Sequence, residues 1–237
     1  MKRIQDTTAY KSIQQALRRL PFRHDSPFVY VALGDSTVEG VGASHLDRTY
    51  ASLVHADLQL NFKGAVHYNL GKSGAQTRDV LNSQLQQAIA ANPDLITLSV
   101  GANDILRRTR YGDFRRNLTH IIGNLRANTH AIIVITNIPN FSLLHVVPAP
   151  LKPLARLHIQ RFNGVILRLA KIYDLVHIDA FRQTTIFVRQ FPDEVLYKDG
   201  FHPSDFGYAL WANSIILALR DKLIAHQRQQ CRGQAHA

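Results

Sequence analysis

The chain of 237 residues has a single cysteine, Cys231. No intramolecular disulfide can form, and thiolates supply neither a zinc cage nor a redox pair. One cysteine fits a reducing compartment. The charged start, MKRIQDTTAYKSIQQALRRL, is followed by no apolar core of the kind a signal peptide needs. The apolar stretches are strand-sized, so no transmembrane helix is expected. These absences predict a cytoplasmic protein. Acidic residues are scarce, with 17 Asp and Glu against 28 Lys and Arg, for a net charge of +11. That excess excludes an acidic, self-solvating chain and predicts weak attraction to anionic membrane surfaces. It comes without zinc-finger spacing or an RNP-type aromatic run, so no specific nucleic-acid binding is predicted. Repeats and low-complexity segments are absent. There is no G-x-S-x-G elbow. There is no G-x-x-x-x-G-K-[ST] loop, and Gly40-Val41-Gly42 lacks the third glycine of a dinucleotide site.

What is present is an alternation. Apolar runs at Phe28 to Leu33, Ala65 to Leu70, Leu95 to Val100, Ala131 to Ile138 and Leu175 to Ala180 read as five strands. Helical patterns fall at Tyr50 to Leu60, Thr77 to Ala91 (Thr77 as N-cap), Asp113 to Ala127, Leu154 to Tyr173 and Ser204 to Ala225. Strands that are apolar on both faces need helices on both faces. The expectation is a three-layer α/β/α sandwich with a five-stranded parallel sheet. Residues 28–225 form that domain. Residues 1–27 read as an N-terminal extension with helical character at Tyr10 to Leu20, and residues 226–237 as a polar tail.

In such sheets, sites gather at the C-terminal ends of strands. Three polar clusters fall there: Asp35-Ser36, Lys72-Ser73-Gly74 and Gly101-Ala102-Asn103-Asp104. A serine hydroxyl becomes a nucleophile only with a base to take its proton and donors to hold the oxyanion. The base is most naturally a histidine oriented by a carboxylate. Of twelve histidines, His202 has the right company, three residues after Asp199 in "YKDGFHPSDFGYALWA". Each signal alone is ordinary turn chemistry. Their combination in order, at strand ends, points to serine-based hydrolysis.

On these residues the sequence resembles the SGNH hydrolases, also called GDSL lipases and esterases. The resemblance covers about Val29 to Trp211. "LGDSTVEG" matches the nucleophile block, "NLGKSGAQT" the second, "SVGANDI" the third and "DGFHPSDFGYALWA" the last. Thr37 stands where the family name expects leucine. The resemblance implies a flavodoxin-like SGNH fold and an acyl-enzyme mechanism on carboxylic esters or thioesters. It implies Ser36 as nucleophile, His202 as base and Asp199 as its orienter. The oxyanion would be held by the N–H groups of Ser36 and Gly74 and the side chain of Asn103. No metal or organic cofactor is implied, and the partner is a small-molecule or lipid ester. The same scaffold also hosts carbohydrate O-deacetylases, and an inactive relative could serve as a binding module. Oligomeric state is left open.

Two stretches bear on the substrate. "ILRRTRYGDFRR" follows Asn103, and Arg107 and Arg108 are its candidates for holding an anionic group. The alternative is a solvated helix start. "NIPNFSLLHVVPAPLKPL", residues 137 to 154, is apolar for a loop. It is expected to wall an acyl pocket, touch a lipid surface, or simply pack on the body.

Overall fold

The computed structural model describes residues 27–234 apart from Lys63. The helix expected at Tyr10 to Leu20 lies outside the described residues. Five parallel strands form one sheet: β1 (Val29–Gly34), β2 (Val66–Asn69), β3 (Leu95–Ser99), β4 (Ile132–Thr136) and β5 (Val176–Ile178). Their order is β2-β1-β3-β4-β5. The chain winds outward from β1 to β2, then crosses back to β3 on the other side of β1. That reversal opens a crevice beyond the C-terminal ends of β1 and β3.

The strands are apolar on both sides because each side meets its own helical layer. Val31, Leu33, Ile96, Leu98, Ile133 and Ile135 face one layer. It holds α3 (Thr77–Asp79), α4 (Leu85–Ala90), α6 (Tyr111–Asn128) and α7 (Lys152–Ile172). Tyr30, Ala32, Leu95 and Val134 face the other. That layer holds α2 (Tyr50–Asn61) and α9 (Asp205–Gln234). A polar exception sits in the second core. Thr97 Oγ1 lies 2.9 Å from Tyr30 Oη and 3.3 Å from Tyr50 Oη, so these buried hydroxyls satisfy one another.

Three short or unexpected helices complete the fold: α1 (Ser36–Glu39), α5 (Ala102–Leu106) and α8 (Ala180–Gln190). The expected helix from Thr77 needs correcting in two respects. Its N-cap is Gln76, not Thr77, and a π-helical turn spans Val80–Gln84. Thr77 cannot cap because its own N–H and hydroxyl donate to the buried Asp104 carboxylate at 2.9 and 2.7 Å. The Asp79 carboxylate instead reaches back to the Gln76 N–H at 2.9 Å. Gly164 lies inside α7 without interrupting it, and α9 continues past Ala225.

Candidate active site

The stretch after β1 turns sharply. Asp35 caps α1: its Oδ1 accepts from the Thr37 N–H at 3.1 Å and the Thr37 hydroxyl at 2.7 Å. The threonine that departs from the family name therefore adds a second bond to the cap. Burial pushes the Asp35 carboxyl pKa up, and the two Thr37 bonds oppose that rise. Ser36 is the first residue of α1, where backbone N–H groups have no intrahelical acceptor.

Gly34 reaches this turn at φ +147°, and a Cβ there would lie 1.9 Å from the Ser99 carbonyl oxygen. Only glycine fits so close to β3. Its backbone is gripped on the other side by Gln84 from the π turn. Gln84 Oε1 accepts from the Gly34 N–H at 2.8 Å, and its Nε2 donates to the Gly34 oxygen at 2.8 Å. Gln84 is buried. π turns of this kind recur at functional sites.

His202 comes from the loop before α9. Its Nε2 is 3.0 Å from Ser36 Oγ, and its Nδ1 is 2.7 Å from Asp199 Oδ2. Asp199 Oδ1 accepts the backbone N–H groups of Phe201 at 2.9 Å and His202 at 3.0 Å. Partial burial tends to raise the Asp199 pKa. The bonds from the His202 ring and the two amides outweigh it and hold the carboxyl below its ordinary value. These bonds fix both carboxylate oxygens, so the imidazole is aimed by a rigid partner.

The second and third clusters meet beside Ser36. Asn103 Nδ2 donates to the Ala75 oxygen at 3.1 Å, which leaves its second amide hydrogen uncommitted. The loop carrying Gly74 is tied down by Lys72 N–H to the Gly34 oxygen at 3.1 Å and Ser73 N–H to Glu39 Oε2 at 2.7 Å. Gly74 has φ +76°, and a Cβ on it would lie 2.7 Å from Arg107 Nη2. Arg107 thus covers this loop with an exposed guanidinium. Arg108 is also exposed and takes a left-handed φ of +56°, unusual for a side-chain-bearing residue.

A mostly apolar pocket opens from Ser36 and Asn103, walled by Ile138, Phe141, Leu144, Phe187, Leu196 and Phe201. Three of these walls come from the 137–154 stretch, whose Ile138, Phe141 and Leu144 are buried. Arg107 and Arg108 do not line it. The α8 wall was missed from sequence, although "AFRQTTIFVRQ" spaces Phe181, Thr184, Phe187 and Val188 at helical intervals on its half-buried face. Gln84 was also missed, although a polar residue in register with buried Val80 and Ala88 was its signal. His55 and His67 lie elsewhere: His55 Nε2 is 2.9 Å from the Ala65 oxygen, and His67 stacks on Tyr30.

Fold and site define a doubly wound α/β protein with a serine, a histidine and an aspartate in one hydrogen-bonded chain at the sheet's switch point. The profile of the GDSL-like lipase/acylhydrolase family matches residues 32–210, and the chain belongs to that family. A GDSL-like esterase of Mycobacterium tuberculosis is 26% identical over 213 residues, 85% of this chain. The chain spans only 65% of that relative's length. A lipase/acylhydrolase from Enterococcus faecalis superposes with a TM-score of 0.67 at 23% identity, over 82% of this chain and 96% of that one. An acetylxylan esterase from Geobacillus stearothermophilus gives 0.65 at 18% identity, over 81% and 94%. The two structures share the fold.

Proposed function

We propose that the protein is a serine acylhydrolase cleaving carboxylic esters or thioesters with an apolar acyl chain. The observation that carries this reading is the unbroken chain Ser36 Oγ, His202 Nε2, His202 Nδ1, Asp199 Oδ2, with spacings of 3.0 and 2.7 Å. Ser36 Oγ attacks the acyl carbon while His202 Nε2 takes its proton. The carbonyl oxygen, now anionic, is held by the N–H groups of Ser36 and Gly74 and by Asn103 Nδ2. His202 returns the proton to the leaving group as the tetrahedral species collapses. Water then attacks acyl-Ser36 with His202 again as base. Asp199 keeps the Nδ1 tautomer and stabilises the imidazolium.

The apolar pocket beside Ser36 favours an acyl chain longer than acetyl. A sugar deacetylase would leave most of that wall against water, at about 25 cal/mol per Å² of apolar surface. Arg107, outside the pocket and beside Gly74, is the candidate for meeting an anionic leaving group. The test is hydrolysis of p-nitrophenyl esters from acetate to palmitate by wild type and Ser36→Ala. The expected result is an optimum beyond acetate that vanishes in Ser36→Ala. An optimum at acetate refutes the acyl-pocket assignment. Activity that survives in Ser36→Ala refutes the nucleophile.

A further inference from the structure

From Phe114 to Tyr173 the sequence contains no aspartate or glutamate, yet it carries eight lysines and arginines. This stretch comprises nearly all of α6, strand β4, the pocket wall and α7. Its two helices pack side by side in the same layer. Asp113 pairs with Arg116 at 2.6 Å at one border and Asp174 lies near Arg126 at the other, so the uncompensated positive charge is centred on α7. Lys152, Arg156, Arg161, Arg168 and Lys171 make no ion pair among the described residues. Arg156 and Arg161 instead lie over the rings of Phe181 and Tyr111, at 5.7 and 4.3 Å.

Four large aliphatic side chains stand out of this surface at the start of α7 and just before it. Val146 is 52% exposed, Leu151 52%, Leu154 54% and Leu157 62%. They follow directly on Phe141 and Leu144, which turn inward to wall the pocket. Arg156 beside Phe181 ties the first turns of α7 to α8, the other pocket wall. Apolar knobs among unpaired cations, next to an apolar pocket, match an anionic lipid interface. Aliphatic groups enter the acyl boundary, and cations meet the headgroup charge. Residues 1–26 do not suit this surface as a cover, since they carry six lysines and arginines against two aspartates. No helix among the described residues is long and apolar enough to span a bilayer, so the contact would be peripheral.

We propose that Val146, Leu151, Leu154 and Leu157, with Lys152 and Arg156, form a docking surface for anionic lipid bilayers that sets the pocket against the membrane. The test is co-sedimentation of the full chain with vesicles of phosphatidylcholine alone or with 30% phosphatidylglycerol, as on the order of the anionic content that gives basic segments measurable binding. Wild type and Ser36→Ala are expected to bind the anionic vesicles equally, which separates docking from catalysis. Arg156→Gln with Lys152→Gln should weaken binding about fivefold per cation. Leu154→Ser with Leu157→Ser should weaken it about tenfold or more. Both pairs should keep wild-type hydrolysis of a soluble short ester, which shows that they fold. Equal binding to both vesicle types overturns the proposal. So does anionic binding that neither pair weakens, since another segment would then be responsible. A concentration-dependent dimer lost in Leu154→Ser with Leu157→Ser, without vesicle binding, would assign the patch to a second copy instead.

Discussion

Gln84 offers the sharpest test of how Ser36, the proposed nucleophile, is positioned. It makes two buried hydrogen bonds to the Gly34 backbone, each 2.8 Å, two residues before Ser36. Gln84→Leu keeps the approximate shape and removes both. The Gly34 oxygen retains the Lys72 N–H at 3.1 Å, but the Gly34 N–H is stranded without an acceptor. A stranded buried donor costs about 1–3 kcal/mol. At roughly 2–4 °C per kcal/mol for a domain of this size, the melting temperature should fall by about 4–8 °C for a 2 kcal/mol loss. If Gly34 shifts, Asp35 and Ser36 shift with it. A displacement of about 1 Å at a reacting group costs on the order of a hundredfold in rate, so kcat should fall tenfold or more at 25 °C with KM little changed. Gln84→Glu adds a signature that a mere packing role lacks. Its neutral carboxyl can both donate to and accept from Gly34, whereas its carboxylate cannot donate. Its kcat should therefore approach wild type as pH falls and diverge as pH rises. The assay is kcat and KM for a p-nitrophenyl ester across pH, beside thermal melts. A lower melting point with unchanged kcat would make Gln84 a core residue only. No change in either would refute the clamp.

Other expectations follow from the same geometry. Asp199→Asn puts an amide against Nδ1 and favours the wrong tautomer of His202, so kcat should fall by about 10⁴ while the melting point barely moves. Asn103→Ala should lower kcat by about 10²–10³ with little change in KM. A larger effect on KM than on kcat would sink the oxyanion assignment. Asp57 is buried on α2, which pushes its carboxyl pKa up to about 6. Between the unfolded value near 4 and about 6, the folded state keeps a proton that the unfolded state has lost, so stability falls as pH rises. The full deficit, roughly 3 kcal/mol from about two pKa units, persists above that window. Asp57→Asn should therefore raise the melting temperature at pH 7 but not at pH 4. An equal gain at both values would refute the electrostatic account.

The sheet was legible because each strand is buried on both faces and so appears as a continuous apolar run. All five strands were placed to within a residue or two. The Asp199–His202 pair was legible because a single turn brings the two residues together. Ser36 meets His202 across 166 positions, and only the shared place of the polar clusters at strand ends, with the family resemblance, connected them. The rest depends on tertiary contacts. The π turn at Val80–Gln84 brings Gln84 onto Gly34, and its only local trace is a polar residue on the buried face. Thr77 looked like a cap because threonine suits caps. Asp104, distant in sequence, took its hydroxyl. The helix Ala180–Gln190 has only Ala180 fully buried, and its apolar stripe of Phe181, Phe187 and Val188 is short, so the period was present but easily read as loop.

The 166 positions between Ser36 and His202 also set an order of events during synthesis. At about 5–20 residues per second, the serine leaves the ribosome roughly ten to thirty seconds before its partner. His202 must then be carried home by α9, through Tyr208 Oη on the Val41 oxygen at 2.7 Å and Asp205 on Ser44 at 2.8 and 2.6 Å. On the proposed roles, a nascent or C-terminally clipped chain holds an inert hydroxyl. Reactivity towards acyl groups switches on only when α9 docks, so a serine-directed probe would report that docking.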